Sequence, residues 1–219
     1  MKVLAFDTAL GACSVALVEK GEALASEQRL QVQGQAESLL PLIERVLGAA
    51  GRSYGDLDLI AVTIGPGTFT GLRIGLAAAR GLSLASGVPL AGVSTLEALA
   101  EGVPAARREG RTVLSVIDAR RGEVYAQAFA AALAPLGPPQ LLGHAPAARL
   151  APPGPVTLVG SGSPLLAPLL ADRHVITPGG PDHPAPTAIA ALAWRRGLPP
   201  PGAPPPAPLY LRAPDARLP

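Results

Sequence analysis

The stretch Val3-Leu-Ala-Phe-Asp7 lies near the start of the chain, and its pattern returns at Val113-Leu-Ser-Val-Ile-Asp118. In both places an apolar run ends in an aspartate, three residues follow, and a glycine (Gly11 or Gly122) precedes a second apolar run. Two apolar runs joined by such a turn are typical of a β-hairpin. Because the same hairpin occurs twice, the sequence predicts a duplicated domain whose two equivalent turns face a common cleft. Two unrelated hairpins are the alternative.

Helical and strand patterns alternate between the two hairpins. Apolar residues spaced three and four apart predict an amphipathic helix over 35–50, and the continuous apolar run at 57–64 predicts a strand inside a covered sheet. The glycine-rich turn 65–70 leads into a second predicted helix over about 71–86, and 88–93 is a further short strand. This order predicts an α/β fold with mixed sheets covered by helices.

Composition excludes several classes of protein. The 219 residues carry 18 basic and 16 acidic side chains, a formal net charge of +2, so the chain has no strong field for nucleic-acid phosphates. Its single cysteine, Cys13, excludes a disulfide framework and a multi-thiolate zinc site, and we expect a buried free thiol. The first apolar stretch stops at Asp7, short of the roughly 7–15 residues of a signal peptide, and no run approaches the roughly 20 residues of a membrane span. We therefore expect a cytoplasmic protein with no membrane attachment.

Three residues at the two turns are the candidates for cofactor binding. Asp7 and Thr8 follow the first strand, and Asp118 follows its repeat. A carboxylate at such a position is able to orient hydrated magnesium beside a phosphate, but aspartate also commonly bonds the backbone amides of its own turn. Ala9 and Arg120 occupy the middle of the two turns, where close contact with phosphate needs glycine, so the structural interpretation is favoured.

The glycine-rich turn matches neither of the common nucleotide-binding motifs. Gly65-x-Gly67-x-x-x-Gly71 is one residue too long for the dinucleotide fingerprint and lacks the Lys-Ser/Thr pair of a Walker loop. Its glycines predict a tight strand-to-helix turn with close helix approach. The three histidines lie outside any His-x-x-x-His pattern, so the sequence predicts neither a metal site nor a set of catalytic residues.

Two further segments leave their roles open. Five arginines form a basic cluster in the sequence, and both contact with RNA phosphate and a solvated turn face stay open for them. They are Arg107, Arg108, Arg111, Arg120 and Arg121. The segment Leu209–Arg212 follows the proline-rich stretch 199–208, which predicts an extended linker. Whether this segment docks on its own domain or on a partner also stays open.

The two long predicted helices carry many apolar and small side chains. A single sheet face offers little area for burying the apolar sides of both helices. A large exposed apolar area normally indicates a partner. Complete burial inside the chain is the alternative. The candidate partner-binding residues are Leu39, Leu40, Ile43, Leu47, Gly71, Leu72, Gly75, Leu76 and Ala79.

Five segments carry a resemblance to a known family. They are Leu4–Thr8, Gly65–Gly75, Gly92–Leu99, Ile117–Tyr125 and Tyr210–Arg212. In these segments the chain resembles the TsaB (YeaZ) family, bacterial accessory proteins for making threonylcarbamoyl-adenosine in tRNA. The likeness is dense over 1–130, sparse over 131–208, and returns at the tail; the glycine-rich segment is its most specific part.

The resemblance implies an actin-like, ribonuclease-H-like fold of two duplicated domains. We expect an N-terminal domain at 1–100, a smaller C-terminal domain at 101–198, and a proline-rich tail at 199–219. The related catalytic family, TsaD, binds a metal through a His-x-x-x-His pair that follows a Gly-Val-Asn motif. Aligning Gly92–Ser94 with that motif places Thr95 and Leu99 where the histidines would be. The resemblance therefore implies a non-catalytic paralogue that holds no metal or cofactor.

The resemblance also implies partners. We expect a scaffold subunit that binds and activates a metal-dependent TsaD-like subunit, which transfers a threonylcarbamoyl group to the adenosine beside the anticodon of tRNA. Helices 36–50 and 71–86 are expected to form a four-helix bundle with the partner, and a small TsaE-like ATPase to join at that junction. The tRNA is then contacted indirectly, and an unpartnered chain is expected to form a homodimer through the same helices. Two alternatives remain: a small actin-fold ATPase or kinase that uses Asp7 and Asp118, and a glycoprotease-like hydrolase.

Overall fold

Two mixed β-sheets organise the computed structural model, which describes residues 1–31, 33–177 and 182–212. The first sheet has the order β3-β2-β1-β4-β5, with strands β1 (Lys2–Asp7), β2 (Ala12–Glu19), β3 (Glu22–Leu30), β4 (Leu59–Gly65) and β5 (Leu90–Ser94). The second has the order β8-β7-β6-β9, with strands β6 (Thr112–Arg120), β7 (Glu123–Phe129), β8 (Gln140–Gly143) and β9 (Val156–Val159). Val32, residues 178–181 of the predicted second domain and residues 213–219 of the predicted tail lie outside the described residues.

The two sheets repeat one arrangement of strands. β1 pairs antiparallel with β2, Asp7 opposite Ser14, and parallel with β4. β6 likewise pairs antiparallel with β7, Asp118 opposite Val124, and parallel with β9. Since β3 and β8 each extend the sheet beyond the hairpin, the four strands β3-β2-β1-β4 correspond to β8-β7-β6-β9. The predicted duplicated α/β fold is confirmed.

Helices cover both faces of the first sheet. α1 (Gln35–Ala49) and α2 (Phe69–Ser86) pack on one face, and α7 (Pro186–Arg196) packs on the other. The remaining helices are α3 (Thr95–Glu101), α4 (Ala105–Arg108), α5 (His144–Ala148) and α6 (Ser163–Leu166), with short 3-10 turns at Tyr54–Asp56 and Ala167–Leu170. None of the helices in the described part of the chain is both long enough and apolar enough to cross a bilayer.

The position of α7 bears on the predicted domain bounds, which stay a prediction. This helix falls in the predicted second domain, 101–198, yet Ile189 and Ala193 lie in one buried cluster with Val3 and Ala5 of β1. The chain thus returns to its first sheet after building the second.

The central strands of both sheets are buried because helices cover them. Val3, Leu4, Ala5 and Phe6 of β1 are each 0% exposed, as a continuous apolar run in a covered strand predicts. Cys13 is a buried free thiol in the same core, as predicted.

The glycine-rich segment brings α2 directly onto the turn between β1 and β2. Thr68 caps α2, since its side-chain oxygen accepts a hydrogen bond from the Gly71 amide at 3.2 Å, and the helix therefore starts two residues earlier than predicted. A Cβ on Gly71 would overlap the Thr8 carbonyl, and one on Gly75 would lie 2.7 Å from Thr8 Oγ1. Gly71 therefore lies directly against the backbone of the turn, and Gly75 lies against the Thr8 side chain.

A pair of glycine substitutions in α2 tests this contact. We expect Gly71→Ala to lower the free energy of unfolding by roughly 1–3 kcal/mol, because the new methyl group forces the helix away from Thr8. Gly81→Ala is the control: Gly81 is exposed with open space around it, so the same change should raise stability by up to about 1 kcal/mol. Urea unfolding followed by circular dichroism measures both. Equal effects at the two sites would contradict the close approach.

Candidate functional site

Asp7, the first candidate for cofactor binding, lies in the core and not at a surface. Its carboxylate Oδ1 accepts hydrogen bonds from Thr63 Oγ1 at 2.5 Å and from the Ala9 amide at 3.0 Å. The residue is 0% exposed, and Oδ2 has no hydrogen-bond partner among the residues that the structure describes. Burial raises the pKa of Asp7 to about 6, although the two hydrogen bonds act in the opposite direction.

Thr8 is also turned inward. Its hydroxyl donates to the Gly71 carbonyl at 2.7 Å, and the residue is 1% exposed. Asp7 and Thr8 together therefore join the β1–β2 turn to β4 and to α2. These bonds are the structural role that sequence reasoning favoured for the turn.

Asp118, the equivalent residue of the second repeat, lies at a different kind of place. Its Oδ1 accepts a hydrogen bond from the Arg120 amide at 2.8 Å, and its carboxylate pairs with the Arg120 guanidinium at 3.1 Å. It lines a cleft of about 680 Å³ between the two repeats, together with Leu10, Phe69 and Tyr125. Asp7 is not part of that lining, so the structure does not bring the two carboxylates to one site.

Thr95 and Leu99, the residues that the resemblance aligns with the TsaD histidines, pack in the core. Thr95 is the first residue of α3 and is 0% exposed; Leu99, one helical turn later, is 2% exposed. Leu99 belongs to a buried cluster with Leu72 and Ile117, which joins the two repeats. Within the described ranges, no three His, Cys, Asp or Glu side chains come close enough to hold a metal ion together.

The arginine cluster of the sequence is divided in space. β6 has nine residues and runs from just after Arg111 to Arg120, so it separates the first three arginines from the last two by roughly 30 Å. At the near end, Arg108 donates to the Ala131 carbonyl at 2.9 Å, and Arg111 donates to the His174 carbonyl at 2.6 Å. The cluster therefore does not form one basic patch.

The predicted partner-binding residues lie mostly on the inner sides of α1 and α2. Eight of the nine are buried within this chain, and only Leu40, 48% exposed, reaches the surface. The buried ones are Leu39, Ile43, Leu47, Gly71, Leu72, Gly75, Leu76 and Ala79. A charge introduced at any of these eight positions would test the core and not an interface.

The outer face of α2 is the surface that sequence reasoning missed. Ala77, Gly81 and Leu84 are exposed there, Leu84 at 88%, and Ile74 is half-buried beside them. An exposed helix face normally carries polar or charged side chains, so small and apolar residues at these positions are the signal that was available in the sequence. Together with Leu40 of the adjacent α1, we call these residues the outer face.

The tail segment, whose docking site stayed open, contacts both repeats of its own chain. The Leu209 amide donates to the Ile64 carbonyl at 2.7 Å, at the end of β4. Arg212 donates to the Ala119 carbonyl at 2.8 Å and pairs with Glu123 at 2.7 Å, in the β6–β7 hairpin. The segment thus crosses the cleft that Asp118 lines.

Solved structures share this whole arrangement. The structure of YeaZ from Pseudomonas aeruginosa is 32% identical, and the match covers 90% of this chain and 93% of that one with a TM-score of 0.71. The chain belongs to the TsaB (YeaZ) family. A second Pseudomonas aeruginosa structure, of an uncharacterized protein with similarity to the peptidase YeaZ, is 28% identical with a TM-score of 0.79, and covers 96% of this chain and 99% of that one. The fold is that of the actin-like ATPases, in two repeats.

Sequence relatives match different shares of the chain, from 98% for a Mycobacterium tuberculosis protein that is 35% identical to 57% for the TsaB proteins. The tRNA threonylcarbamoyladenosine biosynthesis protein TsaB of Escherichia coli is 45% identical over 126 residues, which are 57% of this chain and 53% of that protein. The chain spans about half the length of the curated TsaB relatives it matches. The family model of TsaD, tRNA N6-adenosine threonylcarbamoyltransferase, also matches residues 30–137. The TsaB family and the TsaD family are thus related through the segment that contains α1 and α2.

The buried carboxyl of Asp7 predicts a dependence of stability on pH. Its pKa is raised from 3.8 to about 6, so the stability associated with the protonated form is complete below about pH 4 and is lost as the pH rises through 6. We expect Asp7→Asn to remove this contribution, so that the stability difference between the variant and the native chain changes by roughly 3 kcal/mol between pH 4 and pH 7.5. Urea unfolding at several pH values measures it. The exposed Asp172→Asn is the control, and a difference for Asp7→Asn that does not change with pH would contradict the assignment.

Proposed function

We propose that this chain is a non-catalytic scaffold subunit in the synthesis of threonylcarbamoyl-adenosine in tRNA. It binds and activates a metal-dependent TsaD-like subunit, and that partner transfers the threonylcarbamoyl group to the adenosine next to the anticodon. Membership of the TsaB family supports the pathway. The observation that carries the scaffold role is the outer face, where Ala77, Gly81 and Leu84 are exposed beside Arg73 and Arg80, two arginines whose side chains bind the chain's own tail.

The outer face suits a partner helix. Ala77 and Gly81 are small, so another helix is able to approach α2 closely, and Leu84 supplies an apolar side chain at the edge of the contact. Leu40 on α1 extends the same surface, because α1 and α2 pack side by side. An exposed apolar stripe across two adjacent helices favours a helical pair as the partner.

The sequence similarity to the TsaD family supports a TsaD-like subunit as the partner. The TsaD family model matches the segment that contains both helices, so a TsaD-like subunit has the related pair. Two related helix pairs that meet through the same faces form a four-helix bundle, with a near-twofold relation between the chains. The same surface also explains why an unpartnered chain would form a homodimer. A TsaE-like ATPase at this junction and an indirect contact with tRNA complete the proposal.

The interior of the first repeat supports catalysis by the partner. Asp7 and Thr8 are used in hydrogen bonds that hold the turn to α2 and β4, and Thr95 and Leu99 are buried where TsaD has its metal-binding histidines. These contacts give an ATPase or hydrolase assignment no set of reacting groups, whereas a scaffold needs none.

A substitution on the outer face tests the proposed interface. We expect Leu84→Asp to lower affinity for the TsaD-like subunit of the same bacterium at least tenfold, because a carboxylate would be buried in the helix contact. Leu84 is 88% exposed, so the isolated fold should be unaffected. Leu169→Asp, at a leucine that is 49% exposed in the second repeat, is the matched control. Co-elution and calorimetric titration measure binding, and circular dichroism checks the fold. Wild-type affinity of the Leu84 variant would remove the outer face from the interface.

Reconstitution tests the division of labour. We expect modification of tRNA from threonylcarbamoyl-adenylate only when the chain and its TsaD-like partner are mixed, and the Leu84→Asp variant should restore little of it. Radiolabelled threonine incorporated into tRNA is the readout. Modification by this chain alone would contradict the scaffold role, and full activity of the partner alone would contradict activation.

A further inference from the structure

The segment Leu209–Arg212 is fitted closely to the end of β4. Besides the bond from the Leu209 amide to Ile64, the Leu209 carbonyl lies 2.7 Å from the place where a Cβ of Gly65 would be. Gly65 has a φ of +116°, a conformation that side-chain-bearing residues rarely adopt. The end of β4 is therefore shaped to admit the backbone of the tail.

An aromatic stack fixes the next residue to the first turn of α2. The rings of Tyr210 and Phe69 are stacked with their centroids 5.5 Å apart. The Arg73 guanidinium lies 3.6 Å from the centre of the Phe69 ring, and its Nε donates to the Tyr210 hydroxyl at 3.3 Å. Stacked rings and a cation over a ring each add to the stabilisation from buried area, so Tyr210 is a specific anchor on the first repeat.

Arg212 makes the contact with the second repeat. Its guanidinium binds the Ala119 carbonyl and the Glu123 carboxylate, and lies 6.0 Å from the centre of the Tyr125 ring. All three partners belong to the β6–β7 hairpin or to the end of β6. A four-residue segment thus has one end on the first sheet and the other on the second.

The residues that precede Leu209–Arg212 are also held on the first repeat. Pro206 packs against the position of Gly92 on β5, and its carbonyl accepts a hydrogen bond from Arg80 at 2.6 Å. Prolines restrict this stretch to extended conformations, so little conformational entropy is lost when the segment docks.

We propose that Leu209–Arg212 is a strap that holds the two repeats in one relative position, and that the cleft between them is a groove for this extended segment. A buried apolar cluster already joins the repeats, through Leu72 of the first and Ile117 of the second. One attachment allows a hinge motion about it, whereas a second attachment across the cleft restricts that motion. The strap is this second attachment, and the inference does not rest on the proposed function.

A truncation distinguishes a strap from a passive tail. Spin labels are placed at Ala49→Cys at the end of α1 and Ala171→Cys after the second 3-10 turn, both exposed, while the native Cys13 is buried. We expect a chain that ends at Pro208 to show a broader and shifted distance distribution than the full chain. A chain that ends at Arg212 is the control and should match the full chain. An unchanged distribution in the shorter chain would overturn the proposal.

A charge exchange tests the contact with the second repeat without removing any residue. We expect Arg212→Glu to broaden the distribution as the truncation does, because it faces Glu123 with a like charge. Arg212→Glu combined with Glu123→Arg should restore the narrow distribution. If Arg212→Glu has no effect, or if the double variant stays broad, the Arg212 contact does not hold the repeats.

A peptide added in trans tests the groove itself. A synthetic peptide of residues 206–212 should bind the chain that ends at Pro208 and narrow its distance distribution, and a scrambled peptide should do neither. Circular dichroism and thermal unfolding confirm that the shortened chain is folded. Failure of the native peptide to bind this folded chain would overturn the groove.

Discussion

The contact between α2 and the β1–β2 turn determines most of what this molecule presents to its surroundings. At Gly71 the helix lies against the backbone of Thr8, and the Thr8 hydroxyl donates to the Gly71 carbonyl at 2.7 Å. Such close packing leaves no room for a ligand between the turn and the helix. It also fixes the rotation of α2 about its axis, so that Leu76 and Ala79 face the sheet and Leu84 faces outward. The outer face is therefore a consequence of where Gly71 and Gly75 allow the helix to lie.

The same contact explains why the β1–β2 turn of this actin-like fold is buried. In the first repeat, Asp7 accepts hydrogen bonds from Thr63 and Ala9 and is removed from solvent, at the cost of a raised pKa. In the second repeat the Asp118 amide donates to the Ser161 hydroxyl just before α6, and the Asp118 side chain faces the cleft beside Arg120. The two halves of the duplication have kept the strand order and have diverged in the chemistry of their turns. Because of this divergence, the two carboxylates do not face one ligand site.

The parts of the structure that the sequence predicts are those that local pattern determines. The two hairpins, α1, α2 and the glycine turn follow from residue spacing within short windows, and all are present at or near the expected bounds. The predicted contact residues stay a prediction, but the strongest apolar stripe of a helix marks its side toward the sheet, and Ile43 and Leu76 are accordingly buried in the core of this chain. The surface was visible only as an absence of charge at Ala77 and Gly81.

Features that depend on distant parts of the chain were beyond sequence reasoning. Arginines that are neighbours in sequence lie at the two ends of β6, because a strand advances about 3.3 Å per residue. The docking of Leu209 on Ile64 and of Arg212 on Glu123 joins segments far apart in sequence, and no periodicity encodes such a contact. Only Gly65, which has a positive φ, indicates the docking of the tail in the sequence. A glycine at the end of a buried strand indicates a close backbone approach.

The strap makes stronger contacts with the first repeat than with the second. On the first repeat, a backbone hydrogen bond, an aromatic stack and a cation over a ring act together. On the second, Arg212 alone makes the contacts: it donates to the Ala119 carbonyl, lies near the Tyr125 ring and pairs with Glu123. The ion pair is partly exposed, with side chains 25% and 40% accessible, and such pairs contribute about 1 kcal/mol or less. We therefore expect a motion that opens the cleft to break the Arg212 contacts with the β6–β7 hairpin before the contacts with α2. Because Phe69 and Arg73 belong to the first two turns of α2, we expect a movement of the hairpin that pulls on Arg212 to act on the helix that carries the outer face.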